Sequence, residues 1–144
     1  MTTTIRQILL KKPAVFSVSP QASVYEALQA MADKNVGALL VLEQGELVGI
    51  FSERDYARKV VLEGKSSKET PVGEIMTPKV VTIDPDRTAG ECMALMTDKR
   101  FRHVPVVEAG RLVGVISIGD VVRAVVEEQQ FTIKQLELYI ASGG

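Results

Sequence analysis

The chain has 144 residues, of which 46% are apolar and 24% are charged. This composition is typical of a globular protein with a hydrophobic core and excludes an intrinsically disordered chain. With 17 basic and 18 acidic residues, the net charge of −1 favours binding to neither nucleic acids nor anionic membranes. The single cysteine excludes an internal disulfide, and no apolar run is long enough for a signal peptide or a membrane span. We therefore expect a cytoplasmic protein.

The chain contains an internal repeat. When it is shifted by 65 residues, residues 15–60 align with residues 80–125 without a gap, and 16 of the 46 aligned pairs are identical. Such a match indicates a duplicated unit. One copy alone would bury too little surface to be stable, so we expect the two copies to pack about a pseudo-twofold axis.

Each copy has the same predicted order of elements, β-α-β-β-α, which gives an α+β fold. An S/T-x-x-E capping box precedes the first helix, apolar residues follow at helical spacing, and a glycine marks the turn between the last two strands. In the first copy the predicted elements are strand Val15–Val18, a helix after Ser23, strands Val36–Leu42 and Leu47–Ser52, and a helix near residues 53–62. In the second copy they are strand Val80–Ile83, a helix after Thr88, strands Val104–Val107 and Leu112–Ser117, and a helix near residues 118–128.

The C-terminal tail is predicted to form an extra helix, because Ile133, Leu136 and Ile140 lie at helical spacing. This helix would pack on the body of the protein or on a partner chain. The residues between the two copies begin with a polar, turn-rich segment, which is typical of a linker. The predicted divisions are a first unit (1–62), a linker and lead-in (63–77), a second unit (78–128) and the tail (129–144).

Motifs for catalysis are absent from the sequence. It contains no P-loop, no dinucleotide-binding glycine fingerprint and no G-x-S-x-G nucleophile motif. His103 is the only histidine, which excludes most metal clusters and two-histidine mechanisms. Cys92 lies on the apolar stripe of its helix and is interpreted as a core residue. We therefore expect a protein that acts by binding, is not an enzyme and requires no metal.

A repeated motif, G-h-h-S-x-x-D, ends the last strand of each copy and begins the following helix. It spans residues 49–55 in the first copy and 114–120 in the second. One interpretation is purely structural, because serine and aspartate at this spacing cap a helix. The other is a phosphoribose site, because a helix N-terminus and a serine hydroxyl bind phosphate while a carboxylate accepts bonds from both ribose hydroxyls.

A basic segment, Arg100 to His103, precedes a strand of the second copy, whereas the first copy has neutral residues there. It is either a solvated cationic loop or a phosphate clamp in which Arg102 and His103 meet an anion.

The tandem β-α-β-β-α copies, each with G-h-h-S-x-x-D, resemble paired CBS domains, also called a Bateman module. The segments RFRHVPVVEAGRLVGVISIGDVVRAVVEE and GELVGIFSERD are similar to small stand-alone bacterial CBS-pair proteins, and the resemblance covers residues 5–128. It implies two clefts that bind AMP, ADP, ATP, S-adenosylmethionine or NAD. For the second motif the implied residues are Ala14, Phe16, Val36, Gly37, Ala38, Arg102, His103, Val115, Ser117 and Asp120. For the first motif they are Ile50, Ser52, Arg54, Asp55, Val80, Val81, Arg102, His103 and Pro105.

The resemblance further implies a regulatory sensor that signals to a partner protein and forms a homodimer. The small basic cluster favours AMP or NAD(H) over ADP or ATP, since a triphosphate would need more cations. No nucleic-acid or membrane partner is expected. The alternative is an interaction protein of the same fold whose clefts hold no ligand.

Overall fold

The computed structural model describes residues 2–12 and 15–143, and these residues divide into two units. The early unit contains residues 15–81, and the late unit contains residues 2–12 together with 82–143. Both units combine helices with strands, which confirms the α+β class. Ala14, a predicted binding residue, lies outside the described residues.

The early unit is built on a three-stranded sheet. Strand β1 (Ser17–Val18) lies parallel to β2 (Ala38–Glu43), and β2 pairs antiparallel with β3 (Glu46–Ser52). Helix α2 buries Val24, Ala27 and Met31 against this sheet, as the helical spacing predicts. The bounds are β1 Ser17–Val18, α2 Val24–Lys34, β2 Ala38–Glu43, β3 Glu46–Ser52, α3 Glu53–Tyr56 continued by a π-helical segment Ala57–Val61, and α4 Val72–Ile75.

The late unit repeats this plan around an antiparallel pair of strands, β4 (His103–Glu108) and β5 (Arg111–Ser117). Helix α5 buries Ala89, Cys92 and Met96, and burial raises the pKa of the Cys92 thiol to about 11. This confirms Cys92 as a core residue rather than a reactive thiol. The bounds are α1 Ile5–Leu9, α5 Ala89–Lys99, β4 His103–Glu108, β5 Arg111–Ser117 and α6 Ile118–Ala141.

The first strand of each copy is shorter than predicted. In the early unit, only Ser17–Val18 pairs with β2, and in the late unit the predicted strand Val80–Ile83 is reduced to a bridge between Ile83 and Val106. Pro105 accounts for part of this difference. In the early unit the N–H of Leu40 donates to the carbonyl of Phe16, but Pro105, at the equivalent position, has no N–H.

The turns and caps follow the sequence prediction. Gly45 and Gly110 have φ values of 82° and 77°, and the residue before each also has positive φ, as a type I′ hairpin requires. The Ser23 and Thr88 side chains accept the N–H of the third helical residue of α2 and α5, so both helices begin where predicted.

Each unit is completed by a short helix from a segment that lies outside its repeat. In the late unit, Ile5 and Arg6 of α1 donate backbone hydrogen bonds to the carbonyls of Arg87 and Pro85. In the early unit, the equivalent bonds run from α4, where Val72 and Gly73 donate to Ala22 and Pro20. The two structural units therefore divide the chain differently from the predicted divisions, which placed residues 2–12 in the first unit and α4 in the linker and lead-in to the second unit.

The predicted tail helix is not separate from the helix before it. Helix α6 runs without interruption for 24 residues, because its one glycine, Gly119, lies in the first turn and no proline follows.

Gly49 and Gly114 occupy equivalent positions in the repeat, and a methyl group added to each tests how tightly the interior of its own unit is packed. An added Cβ at Gly49 would lie 2.6 Å from Met76 Sδ and 2.9 Å from the Thr77 carbonyl oxygen, whereas at Gly114 it would meet only the Leu9 side chain, at 2.7 Å. A backbone carbonyl cannot move aside as a flexible side chain can. We expect Gly49→Ala to lower the free energy of unfolding by about 2–3 kcal/mol and Gly114→Ala by less than about 1 kcal/mol. Urea denaturation of both variants measures this, and equal losses would contradict it.

Candidate functional site

The late motif lies where β5 ends and α6 begins. The Asp120 N–H donates to Ser117 Oγ at 3.1 Å, and the Ser117 N–H donates to Asp120 Oδ2 at 2.9 Å. These two bonds form a complete capping box, which confirms the structural interpretation of the motif. His103 pairs with Ser117 in the register of β4 and β5 and so lies on the neighbouring strand.

Lys12 contacts the late motif, although the sequence analysis did not identify it. Its ammonium donates to Asp120 Oδ2 at 2.5 Å and to the Val115 carbonyl at 3.0 Å. The shift of 65 residues places Lys12 over Thr77, whose hydroxyl donates to Oδ1 of the early-motif aspartate, but this correspondence lies outside the aligned repeat and is visible only in the structure.

The Asp120 carboxylate is held in its charged form. Its side chain is only 14% exposed, and burial alone would raise its pKa. The hydrogen bonds from Lys12 and Ser117 outweigh this burial and lower the pKa of Asp120 below its ordinary value. Stability gained from this ionised group is present above the ordinary carboxyl pKa and is lost as the pH falls through the lowered one.

The two oxygens of Asp120 differ in how fully they are bonded. Oδ2 accepts from Ser117 and Lys12, whereas the guanidinium of Arg123 lies 3.7 Å from Oδ1, beyond hydrogen-bond distance. Among the described residues, no hydrogen bond to Oδ1 is made. This oxygen can therefore accept a bond from a ligand without breaking one within the protein.

His103 is a neutral side chain in this setting. Burial lowers the pKa of His103 below its ordinary value, and the nearby positive charge of Lys12 lowers it further. Together these two effects outweigh the negative charge of Asp120, which raises the pKa. The imidazole can donate one hydrogen bond to a phosphate but adds no positive charge at neutral pH. Arg102, which is exposed, supplies the charge of the predicted pair.

The single histidine makes its protonation directly measurable. We expect an NMR titration of His103 to give a midpoint below 6.5, and Lys12→Met to raise it. Below pH 6.5 the unfolded chain binds a proton that the folded chain does not, so stability falls as the pH drops toward the lowered pKa, by at most about 1.4 kcal/mol per pH unit. Urea denaturation between pH 5 and 8 should show that slope in the wild type and lose it in His103→Gln. A midpoint at or above 6.5 would contradict this.

The early motif is more fully bonded than the late one. Asp55 Oδ2 accepts from the N–H and the hydroxyl of Ser52, at 2.9 and 3.0 Å. Asp55 Oδ1 accepts from Thr77 Oγ1 at 3.3 Å and lies 3.3 Å from Lys59 Nζ. Arg54 is exposed at the surface of α3. Both oxygens of Asp55 thus have partners within the early unit, unlike those of Asp120.

The other predicted site residues lie in both units. Within the early unit, Gly37 accepts the N–H of Glu53 at the start of α3, and Ile50 exchanges two backbone hydrogen bonds with Thr77. The predicted set for each motif joins residues from the two units, and that grouping stays a prediction. The early unit holds Phe16, Val36, Gly37, Ala38, Ile50, Ser52, Arg54, Asp55, Val80 and Val81, and the late unit holds Arg102, His103, Pro105, Val115, Ser117 and Asp120.

Two further features, a metal-binding cluster and a membrane-spanning helix, are not found among residues 2–12 and 15–143. Within these ranges, no group of three or more histidine, cysteine, aspartate or glutamate side chains is arranged to hold a metal ion. No helix in the same ranges combines the length and the apolar character needed to span a bilayer.

Comparisons with known proteins agree on one family. The sequence profile of the CBS domain matches residues 5–62 and 72–127. The CBS domain-containing protein CBSX3, mitochondrial, of Arabidopsis thaliana is 48% identical over 126 residues, and the match covers 84% of this chain but only 61% of that protein's length. Among solved structures, a protein with CBS domains from Burkholderia ambifaria MC40-6 is 52% identical with a TM-score of 0.85, covering 91% of this chain and 99% of that one. A hexameric CBS-CP12 protein from bloom-forming cyanobacteria is 28% identical with a TM-score of 0.77, covering 85% and 71%.

Proposed function

Because this chain belongs to the CBS domain family and carries that domain twice, we propose that it is a regulatory module that binds an adenine nucleotide and signals to a partner protein. It performs no catalysis, and binding shifts its conformational equilibrium. The cytoplasmic location stays a prediction. The regulated partner is proposed to be a different protein.

The main support for this proposal is the ionisation and hydrogen bonding of the Asp120 carboxylate. The carboxylate is ionised, fixed by Ser117 and Lys12, and keeps Oδ1 available to a ligand. A ribose diol is a ligand that such an acceptor binds, since both of its hydroxyls can donate to one carboxylate. The N-terminus of the long helix α6 adds the positive end of its dipole, which favours a phosphate nearby.

The charges around Asp120 suit a small number of phosphates. Lys12 and Arg123 lie close to the carboxylate, and Arg102 is exposed one residue before β4. His103 contributes a neutral donor. One of these three cations balances Asp120, and the remaining two positive charges suit a monophosphate or the two singly charged phosphates of NAD(H) better than a triphosphate. AMP or NAD(H) is therefore the preferred ligand, with ADP and ATP bound more weakly.

The two motifs are proposed to differ in occupancy. Asp55 would have to give up bonds from Thr77 or Lys59 to accept a ribose, whereas Asp120 would not. Breaking an existing hydrogen bond removes most of the gain from forming a new one. One nucleotide should therefore bind per chain at low ligand concentration, at the late motif.

A second function, that of an interaction protein with no ligand, is favoured by one observation. Serine and aspartate form a capping box in both motifs, and Lys12 and Thr77 contact the two aspartates, so the fold alone explains these residue types without a ligand.

Calorimetric titration of the full chain with AMP, ADP, ATP, NAD and NADH separates the two functions. The nucleotide proposal expects binding near the micromolar range for AMP or NAD(H), one site per chain, and a raised melting temperature. The absence of heat and of any thermal shift with all five ligands would support the interaction protein and overturn the nucleotide proposal.

A further inference from the structure

The second half of α6 exposes apolar side chains on the late unit. Every residue from 129 to 141 is exposed. One row of side chains, the outer row, follows the spacing 4-3-4-3-4 that characterises coiled-coil seams. Its apolar members are between 43% and 73% exposed. The outer row consists of Val122, Val126, Gln129, Ile133, Leu136 and Ile140.

The outer row does not serve the core of its own unit. Val121 and Ala124 of α6 are buried in that core, whereas Val122 and Val126 are exposed. A helix of about 13 residues without packing is only marginally stable in water. The exposed half of α6 therefore gains most from a partner that covers its seam.

We propose that the outer row binds the outer row of a second copy in antiparallel orientation. A twofold axis beside residue 131 places Val122 opposite the partner's Ile140. The same axis places Val126 opposite the partner's Leu136 and Gln129 opposite the partner's Ile133 by sequence register. All six positions then find a partner, each contact occurs twice, and the interface closes as an isologous dimer.

Charge complementarity selects the antiparallel orientation. In this register, Arg123 lies beside the partner's Glu137 on one flank of the seam, and Val125 lies beside the partner's Tyr139 on the other. In a parallel pair, the same heptad positions would set Glu137 against Thr132 and Arg123 against Ile118, with no opposite charges paired. The antiparallel pair thus gains two Arg–Glu contacts that the parallel pair lacks.

The outer row supplies a surface for the homodimer that the sequence resemblance implies. Pairing of the outer rows does not depend on nucleotide binding, so loss of one leaves the other testable.

Sedimentation velocity on the full chain tests the interface. The wild type is expected at twice the 15.7 kDa chain mass. Leu136→Glu places a charge in the seam and should raise the dimer dissociation constant at least about 30-fold. Leu138→Glu is the matched control, because Leu138 is similarly exposed but lies on the opposite side of the helix, and it should leave the dimer intact.

Cysteine cross-linking tests the orientation. Chains with Val126→Cys mixed with chains with Leu136→Cys should form a disulfide-linked pair, whereas either chain alone should not. The native Cys92 is buried and should not compete. A monomeric wild type, a dimer unaffected by Leu136→Glu, or cross-linking of Val126→Cys chains with each other would overturn the proposal. A monomer that instead binds lipid vesicles or another protein through α6 would also overturn it.

Discussion

Replacing Asp120 by asparagine is expected to weaken AMP binding about 100-fold. The carboxylate is ionised, and each hydrogen bond from a ribose hydroxyl to a charged acceptor contributes roughly 1.5–3 kcal/mol. Asparagine keeps the size of the side chain but removes its charge, so much of that contribution is lost. The expected 100-fold change in the dissociation constant corresponds to a loss of about 2.7 kcal/mol in binding free energy. Calorimetric titration of the variant with AMP measures it.

The repeat provides a matched control for this substitution. Asp55→Asn removes the same charge at the equivalent position, but both oxygens of Asp55 are already bonded to Ser52, Thr77 and Lys59. We expect Asp55→Asn to change AMP affinity by less than about threefold. Circular dichroism must show that both variants are folded. Equal losses in the two variants would contradict the proposed difference between the motifs.

Replacing Phe51 by alanine is expected to lower the free energy of unfolding by about 3–5 kcal/mol. Phe51 lies on β3, is completely buried and is the largest fully buried side chain among residues 2–12 and 15–143. Truncation removes its transfer free energy and leaves a cavity that the surrounding core can fill only in part. Urea denaturation followed by circular dichroism measures the loss.

An exposed position in the same unit is the control for Phe51. Val61 is 54% exposed, so Val61→Ala should change the free energy of unfolding by less than about 0.5 kcal/mol. A loss below about 1 kcal/mol for Phe51→Ala would contradict the assignment of this side chain to the core of the early unit.

Local features of the fold could be predicted from the sequence because short-range physics determines them. The left-handed turns at Gly45 and Gly110 and the caps at Ser23 and Thr88 follow from residues within four positions of each other. The 65-residue repeat then extended each prediction to the other copy. The serine–aspartate motifs were placed correctly at strand ends for the same reason.

Contacts between distant parts of the chain could not be predicted in this way. Lys12 reaches Asp120 across 108 positions, and no local pattern connects them. Helix α1 precedes the first copy of the repeat but donates its backbone hydrogen bonds to the second copy. Helix α4 precedes the second copy but donates to the first. The shortened late strand depends on a missing N–H at Pro105, which is visible in the sequence only once the pairing partner is known.

The ribose hydroxyls provide the most direct test of nucleotide binding at the late motif. Wild-type and Asp120→Asn chains should be titrated with AMP, 2′-deoxy-AMP and 3′-deoxy-AMP. If Asp120 binds the diol, loss of either hydroxyl should weaken nucleotide binding to the wild type at least about 10-fold. The same loss should weaken nucleotide binding to the Asp120→Asn chain by less than about threefold. Wild-type chains that bind both deoxynucleotides as tightly as AMP would show that Asp120 does not hold the ribose.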